Sequence, residues 1–162
     1  MEIIDNFLPK DVFEYLHKHV MSVGTAWFFQ PTVAEEVEEM ENDNYMHTHL
    51  LYKYNVPDSS LYDVFLPFIE HPKLGVKSVI RMILNSYPYT PKLKKHGTHV
   101  DTDYSHKGAI LYMNTCDGYT MCQGEKVYSV ANRVLLHDPS IPHHSTTTTT
   151  DHRRVICNLN YF

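Results

Sequence analysis

Cysteine is scarce in this sequence, and its spacing matches no common metal or disulfide motif. The three cysteines, Cys116, Cys122 and Cys157, form an odd set without a C-x-x-C pair. A disulfide framework and a thiolate zinc site are therefore both disfavoured. We expect three reduced thiols.

Long apolar runs and excess positive charge are also missing. No stretch approaches 18 consecutive apolar residues, and the opening MEIIDNFLPK lacks the basic start and apolar run of a secretory signal. The 14 Lys and Arg residues against 19 Asp and Glu give a net charge of −5, which disfavours the broad basic surface of a nucleic-acid binder. We expect a soluble cytoplasmic protein with no membrane or nucleic-acid partner.

What the sequence does contain is enough apolar material for one core. The chain has 162 residues, 43% of them hydrophobic, and no repeat or linker divides it, so we expect one domain over residues 1–162. Apolar residues recur with helical spacing between Pro9 and Ser22, which predicts an amphipathic helix. A second helix is predicted from about Ser60, with Ser60 and Asp63 as a capping pair and Pro67 kinking or ending it.

The composition changes to β-strand patterns from Val79 onward. Short apolar runs alternate with Gly, Pro, Asn and Asp: VIRMILN, GAILYMN, GYTMC, KVYSVAN, RVLLHD and RRVICNLNYF. They predict a mainly β protein with flanking α-helices and a jelly-roll or cupin-like core, with helical support over about 1–78 and a β-barrel over about 79–162. The acidic run from Val33 to Asn44 is predicted to be a surface loop or short solvated helix.

Twelve histidines prompt a search for a metal site. His99 and Asp101 are two residues apart, so on a strand their side chains would share a face. His144 supplies a third ligand from a distant segment, with neighbouring His143 as the alternative. Two imidazoles and one carboxylate suit iron(II) and leave coordination positions open, whereas a structural zinc site is usually closed by four ligands.

Arg154 opens the last strand, where its guanidinium could bind a carboxylate in a bidentate manner. Alternation places Arg154 on a mixed polar face that we interpret as site lining, with Ile156, Asn158 and Asn160. The opposite face, predicted to pack against the helices, carries Val155, Cys157, Leu159 and Tyr161. Arg153 is the alternative to Arg154, but it aligns with this apolar face.

Several motifs occur together in the C-terminal half: H-V-D at 99–101, Y-M-N at 112–114, D-G-Y-T at 117–120, S-V-A-N-R at 129–133, I-P-H-H-S at 141–145 and R-R-V-I-C-N-L-N-Y at 153–161. In this order and spacing they resemble the 2-oxoglutarate/iron(II) dioxygenase superfamily. The resemblance is to its prolyl-hydroxylase-like branch, especially the small stand-alone versions of viruses of marine bacteria. It covers residues 79–162 well and the N-terminal part more loosely.

The resemblance implies a double-stranded β-helix and a role for each matching residue. His99, Asp101 and His144 match the metal triad, while Arg154 and Tyr112 match the residues that bind the far carboxylate of 2-oxoglutarate. Tyr87 matches a tyrosine that lines the pocket. Asp101 stands where halogenating relatives have a small residue, which favours hydroxylation.

The implied activity uses iron(II), 2-oxoglutarate and O2, with ascorbate as an optional reductant. It would hydroxylate a C–H bond of a prolyl, peptidyl or small-molecule substrate and release succinate and CO2. The viral resemblance also allows a virus-encoded protein acting in a host cell. Two alternatives stay open: an oxidative nucleic-acid demethylase, suggested only by the lysines of KLKKHGTH, and a non-catalytic cupin-like module that binds a metal or ligand.

Overall fold

Strands dominate the structure, a computed structural model that describes residues 1–34 and 44–162. The described strands are β1 (Glu2–Ile4), β2 (Phe28–Gln30), β3 (Met46–Lys53), β4 (Val56–Pro57), β5 (Val79–Pro88), β6 (Lys107–Tyr112), β7 (Tyr119–Cys122), β8 (Glu125–Tyr128), β9 (Val134–His137), β10 (His143–Ser145) and β11 (Arg153–Tyr161). The described helices are α1 (Lys10–Met21), α2 (Leu61–Val64) and α3 (Leu66–Ile69). The predicted loop over Val33–Asn44 lies largely outside the described residues.

Two antiparallel sheets form the β core. The larger has the order β1-β9-β6-β11-β5-β3-β2, with β4 paired to β3, and the smaller has the order β10-β7-β8. Side chains from both sheets meet in one apolar cluster that includes Ile110, Val127 and Ile156. The predicted mainly β, double-stranded β-helix fold is confirmed.

Helix α1 covers the outer face of the larger sheet. Its apolar residues lie one helical turn apart, so they form a single stripe, and Leu16 and Val20 are fully buried. They belong to the same core cluster as Leu84 of β5 and Leu159 of β11. The helix predicted between Pro9 and Ser22 is confirmed, with Pro9 immediately before its first residue.

The rest of the N-terminal part differs from the prediction. The helix expected from Ser60 is two short helical segments, and Ser60 makes no side-chain capping bond. Pro67 lies in the first turn of α3, where a backbone N–H has no partner within the helix, so the missing N–H of proline costs no hydrogen bond. Pro67 therefore favours the start of α3 and does not end a helix. The predicted helical support also contributes strands, since β2 and β3 extend the larger sheet beyond β5.

The C-terminal strand predictions agree more closely with the structure. Each of the six predicted runs contains a strand. Strand β10 was not predicted, because its three residues, HHS, are too few to show a periodicity. β11 pairs with β5 on one side and β6 on the other, which places it at the centre of the larger sheet.

In the described part of the chain, no helix is both long and apolar enough to span a bilayer.

Candidate active site

Two imidazoles and a carboxylate converge at one end of the β core. His99, Asp101 and His143 each offer a ligand atom, and these atoms lie within 4.8 Å of one another. Asp101 Oδ1 lies 3.7 Å from His99 Nε2 and 3.8 Å from His143 Nε2. This donor set fits a divalent transition metal such as iron(II), which accepts imidazole and carboxylate together.

The structure brings His143, the alternative to His144, into this group, and it does not bring the predicted third ligand His144 there. His99 and His143 exchange two backbone hydrogen bonds, N–H to O of 2.9 and 3.0 Å, across an isolated antiparallel bridge. Residues directly opposite in such a pair project to the same side, and their rings lie 4.6 Å apart. His144 is the next residue, so its side chain projects to the opposite side from that of His143. It also borders the cavity, and its ring centre lies 6.3 Å from that of Tyr119.

Backbone carbonyl groups determine which ring nitrogen His99 and His143 each turn toward Asp101. His143 Nδ1 lies 3.0 Å from the carbonyl oxygen of Ile141, and His99 Nδ1 lies 3.2 Å from that of Gly97. A carbonyl only accepts, so in each neutral ring Nδ1 carries the proton and Nε2 has a free lone pair facing Asp101. Burial lowers the pKa of His143, which favours this neutral form.

Asp101 does not lie on a strand, contrary to the expectation that it and His99 would share a strand face. Its Oδ2 is held instead by three side chains: Arg81 Nη2 at 3.2 Å, Asn160 Nδ2 at 2.9 Å and Asn158 Nδ2 at 3.4 Å. Burial alone would raise the pKa of Asp101, but the charge of Arg81 and the hydrogen bond from Asn160 lower it below its ordinary value. Asp101 is therefore an ionised carboxylate, and its Oδ1 faces His99 and His143.

Arg154 lies at the other end of the same inner face and is completely buried. Its Nη2 donates to Thr120 Oγ1 at 2.8 Å and its Nη1 to the Thr146 carbonyl at 3.4 Å, while its Nε has no partner in the described part of the chain. No acidic side chain pairs with it within the described residues. A guanidinium has five N–H donors, so several remain available to an anion.

Two aromatic rings enclose this guanidinium. Arg154 Cζ lies 5.2 Å from the ring centre of Tyr87 and 5.6 Å from that of Tyr112. Tyr112 is fully buried, its hydroxyl has no hydrogen-bond partner among the described residues, and burial raises its pKa. Tyr112 is therefore a neutral donor beside Arg154, and the structure brings both predicted tyrosines, Tyr87 and Tyr112, together with Arg154.

Arg153, the alternative to Arg154, lies on the opposite face of β11. Its guanidinium stacks 5.3 Å from the Trp27 ring centre and contacts the sulfur of Met21 at the end of α1. The strand alternation that favoured Arg154 is confirmed.

One cavity of about 280 Å³ connects the two groups of residues. Its wall includes His99, Asp101 and His143 at one end and Tyr87 and Thr120, the neighbours of Arg154, at the other. The arrangement can therefore hold a metal and a small dianion side by side.

The sequence interpretation missed three residues of this site: Arg81, Thr120 and Gly118. Arg81 alternates with Ile83, Asn85 and Tyr87 along β5, but its position opposite Asn160 depends on the β5–β11 register, which only the structure gives. Gly118 lies in the D-G-Y-T motif, but the motif did not reveal its role: a Cβ there would lie 2.5 Å from Arg154 Cδ and 2.6 Å from the Thr147 carbonyl oxygen, so only glycine leaves room for the guanidinium.

Comparison with known proteins identifies the fold. No protein-family model matches the chain, and no curated protein does. A prolyl-4-hydroxylase from Pseudomonas putida superposes with a TM-score of 0.62 at 14% identity, over 99% of this chain and 91% of that one. A Trichoplax adhaerens prolyl hydroxylase, solved with a hypoxia inducible factor peptide fragment, gives 0.70 at 14% identity, over 99% and 82%.

The same fold also occurs in SnoN, a non-heme alpha ketoglutarate dependent epimerase from nogalamycin biosynthesis. It gives a TM-score of 0.68 at 11% identity, over 99% of this chain and 76% of that one. These likenesses show that the chain has the fold of the 2-oxoglutarate/iron(II) oxygenases, and prolyl hydroxylases are prominent among the matches. The resemblance inferred from the sequence is confirmed at the level of the fold.

Proposed function

We propose that this chain, as one domain, is an iron(II)- and 2-oxoglutarate-dependent dioxygenase that hydroxylates a C–H bond of a peptidyl or small-molecule substrate. The observation that carries the proposal is Arg154, fully buried and without an acidic partner in the described residues. A buried charge without a counter-charge is strongly unfavourable, so an anionic ligand that supplies the counter-charge of Arg154 would be bound favourably there. 2-Oxoglutarate has a carboxylate at one end and a metal-binding 2-oxo acid at the other, which matches the two ends of the cavity.

The residues proposed to hold the iron are His99, Asp101 and His143. Three protein ligands leave positions open for a co-substrate and oxygen. A ferrous ion held there, together with 2-oxoglutarate and O2, would supply the oxidising power to break a C–H bond, with succinate and CO2 as by-products. Asp101 supplies a carboxylate where halogenating relatives have a small residue, so hydroxylation is favoured over halogenation.

The chain's own side chains orient the reactants and exclude water. Arg154 is proposed to bind the far carboxylate of 2-oxoglutarate with two N–H groups, while the Tyr112 hydroxyl donates to the same carboxylate. Arg81 and Asn160 keep Oδ2 of Asp101 occupied, so that Oδ1 stays turned toward the histidines. Ile110 and Ile156 give the cavity an apolar wall that strengthens these polar contacts.

The proposal is tested by following 2-oxoglutarate and succinate by NMR with iron(II), ascorbate and air. We expect succinate to appear in step with the 2-oxoglutarate consumed, faster when a true substrate from a panel of prolyl peptides and amino acids is present. Both signals should stay constant when iron is withheld. No succinate from any member of the panel would contradict the proposal.

The choice of the third ligand is tested separately by a matched pair, His143→Ala and His144→Ala. Calorimetric titration with Mn²⁺ should show that His143→Ala weakens metal binding by about 100-fold or more, since it removes a donor atom. His144→Ala should bind Mn²⁺ nearly as wild type does. The reverse pattern would restore His144 as the ligand.

A further inference from the structure

The amides of Asn158 and Asn160 have orientations fixed by chemistry. Both donate to Oδ2 of Asp101, at 3.4 and 2.9 Å. An ionised carboxylate only accepts hydrogen bonds, so each NH2 group must face Asp101 and each amide oxygen must point away from it. These two oxygens are therefore acceptors, whichever ligand the site holds.

The amide oxygen of Asn158 is buried and has no donor among the described residues. The side chain is only 7% exposed and forms part of the wall of the metal-site cavity. The amide oxygen of Asn160 also has no donor among the described residues, but Asn160 borders a second cavity, which it shares with Arg81 and Asp101. A buried acceptor without a donor is unfavourable, so the orphaned oxygen of Asn158 indicates a ligand group that supplies an N–H or O–H.

A second orphaned amide lies nearby on β5. Asn85 is 8% exposed, lines the same cavity, and has one side-chain bond, a long 3.4 Å contact from its Nδ2 to the Tyr87 hydroxyl. Its Oδ1 has no partner in the described structure. Asn158 is opposite Ile83 in the β5–β11 pair, so Asn85 is its diagonal neighbour on the same sheet face. One small molecule could contact both amides.

We propose that Asn158, assisted by Asn85, determines substrate specificity by accepting hydrogen bonds from the substrate. The substrate class is then a molecule with an amine, an unblocked amide or a hydroxyl close to the C–H bond that reacts, because Asn158 lies directly beside the metal ligand Asp101. A site that requires a donor discriminates strongly against analogues that lack one. The statement that the donor lies close to the reacting C–H bond rests on the proposed function. The predicted binding of hydrogen-bond donors by Asn158 and Asn85 does not.

Binding is tested with pairs of probes that differ only in their donors. The probes are the common amino acids and their primary amides, each paired with its trimethylammonium or dimethylamide counterpart, which has no N–H at that group. Calorimetry on the chain loaded with Zn²⁺ and 2-oxoglutarate should show the donor member of a pair binding about 10-fold or more tightly. Asn158→Leu and Asn85→Leu should each reduce that ratio, and Asn85→Leu leaves the contacts of Asp101 intact.

Each outcome of this titration decides the inference. Equal affinities within the pairs, or no binding by any donor-bearing probe, would overturn it. A wild-type chain that selects donors through Asn158 but never converts 2-oxoglutarate to succinate would overturn the proposed function and leave the binding assignment standing. A chain that makes succinate without preferring donors would do the opposite.

Thermal stability gives a second readout that needs no substrate. Asn114 is the matched control, because its amide is satisfied by the Asp151 carboxylate, the Arg153 carbonyl and the Val155 N–H. Asn114→Leu should lower the Tm of the ligand-free chain, whereas Asn85→Leu, which removes an orphaned acceptor, should raise it by about 2–4 °C. An equal loss of Tm in both variants would assign Asn85 a structural role and overturn its part in specificity.

Discussion

The two faces of β11 differ sharply although they belong to the same nine residues. The outer face joins the main hydrophobic core through Val155, Cys157, Leu159 and Tyr161. The inner face carries Arg154, Asn158 and Asn160, each with a buried polar atom that has no partner in the described structure. The outer face stabilises the fold through apolar burial, whereas the inner face carries buried polar groups that we propose bind ligands.

β5 continues the same division because it is paired in register with β11. Arg154 is opposite Tyr87 and Asn160 is opposite Arg81, so the inner polar face spans two strands. On the outer side, Met82 and Leu84 of β5 are fully buried in the main core. Substitutions on the two faces should therefore affect different measurements.

The largest expected effect is the loss of stability from Leu159→Ala on the outer face. Leu159 is fully buried against the layer that contains α1, so the substitution removes apolar contacts and leaves a cavity. We expect the free energy of unfolding to fall by about 3–4 kcal/mol, measured by urea denaturation. Leu159→Met, which nearly preserves volume, should cost about 1 kcal/mol. Equal losses from both variants would contradict tight packing on this face.

A matching substitution on the inner face, Arg154→Met, should affect binding instead. We expect 2-oxoglutarate to bind the Mn²⁺-loaded variant about 100-fold more weakly, or about 2.7 kcal/mol, because its carboxylate loses a charge-assisted partner. The ligand-free variant should be at least as stable as wild type, since an apolar side chain replaces a buried charge.

Arg153→Met is the control for this experiment. Arg153 stacks on Trp27 on the outer face, whereas Arg154 lies against Tyr87 and Tyr112 on the inner face, so replacing Arg153 should leave 2-oxoglutarate affinity unchanged. If Arg153→Met weakened binding and Arg154→Met did not, the division of β11 into two faces would be wrong.

The division of β11 was predictable from the sequence because a strand has a period of two. Arg154, Ile156 and Asn158 alternate with apolar residues, and no tertiary information is needed to assign them to one face. The same reasoning could have placed Arg81 beside Asn160, had the register of β5 against β11 been known. Register depends on pairing between distant segments, which the local pattern does not encode.

The third ligand could not be chosen from the sequence for a related reason. His143 and His144 are adjacent and chemically identical, so residue type does not distinguish them. In the structure, His143 is brought beside His99 by one antiparallel bridge, formed by an irregular segment and the three-residue strand β10. Neither element has a periodicity that predicts which residue lies opposite His99.

The smallest expected effect concerns Asp117, which fixes the segment leading into β11. Burial alone would raise the pKa of Asp117, but hydrogen bonds from Thr149, Thr148 and Thr150 lower it to about 2 from its ordinary 3.8. A lowered carboxyl pKa contributes stability that is fully present above about pH 4 and is lost as the pH falls through about 2.

We therefore expect Asp117→Asn to reduce the free energy of unfolding by about 1 kcal/mol at pH 6, a modest value because the carboxylate is partly hydrated. The difference from wild type should shrink toward zero as the pH falls through about 2, since the wild-type carboxyl then becomes uncharged like the amide of the variant. Urea denaturation of both proteins between pH 6 and pH 2 measures this convergence. A difference that did not change with pH would mean that the threonines bind the side chain for its shape and not for its charge.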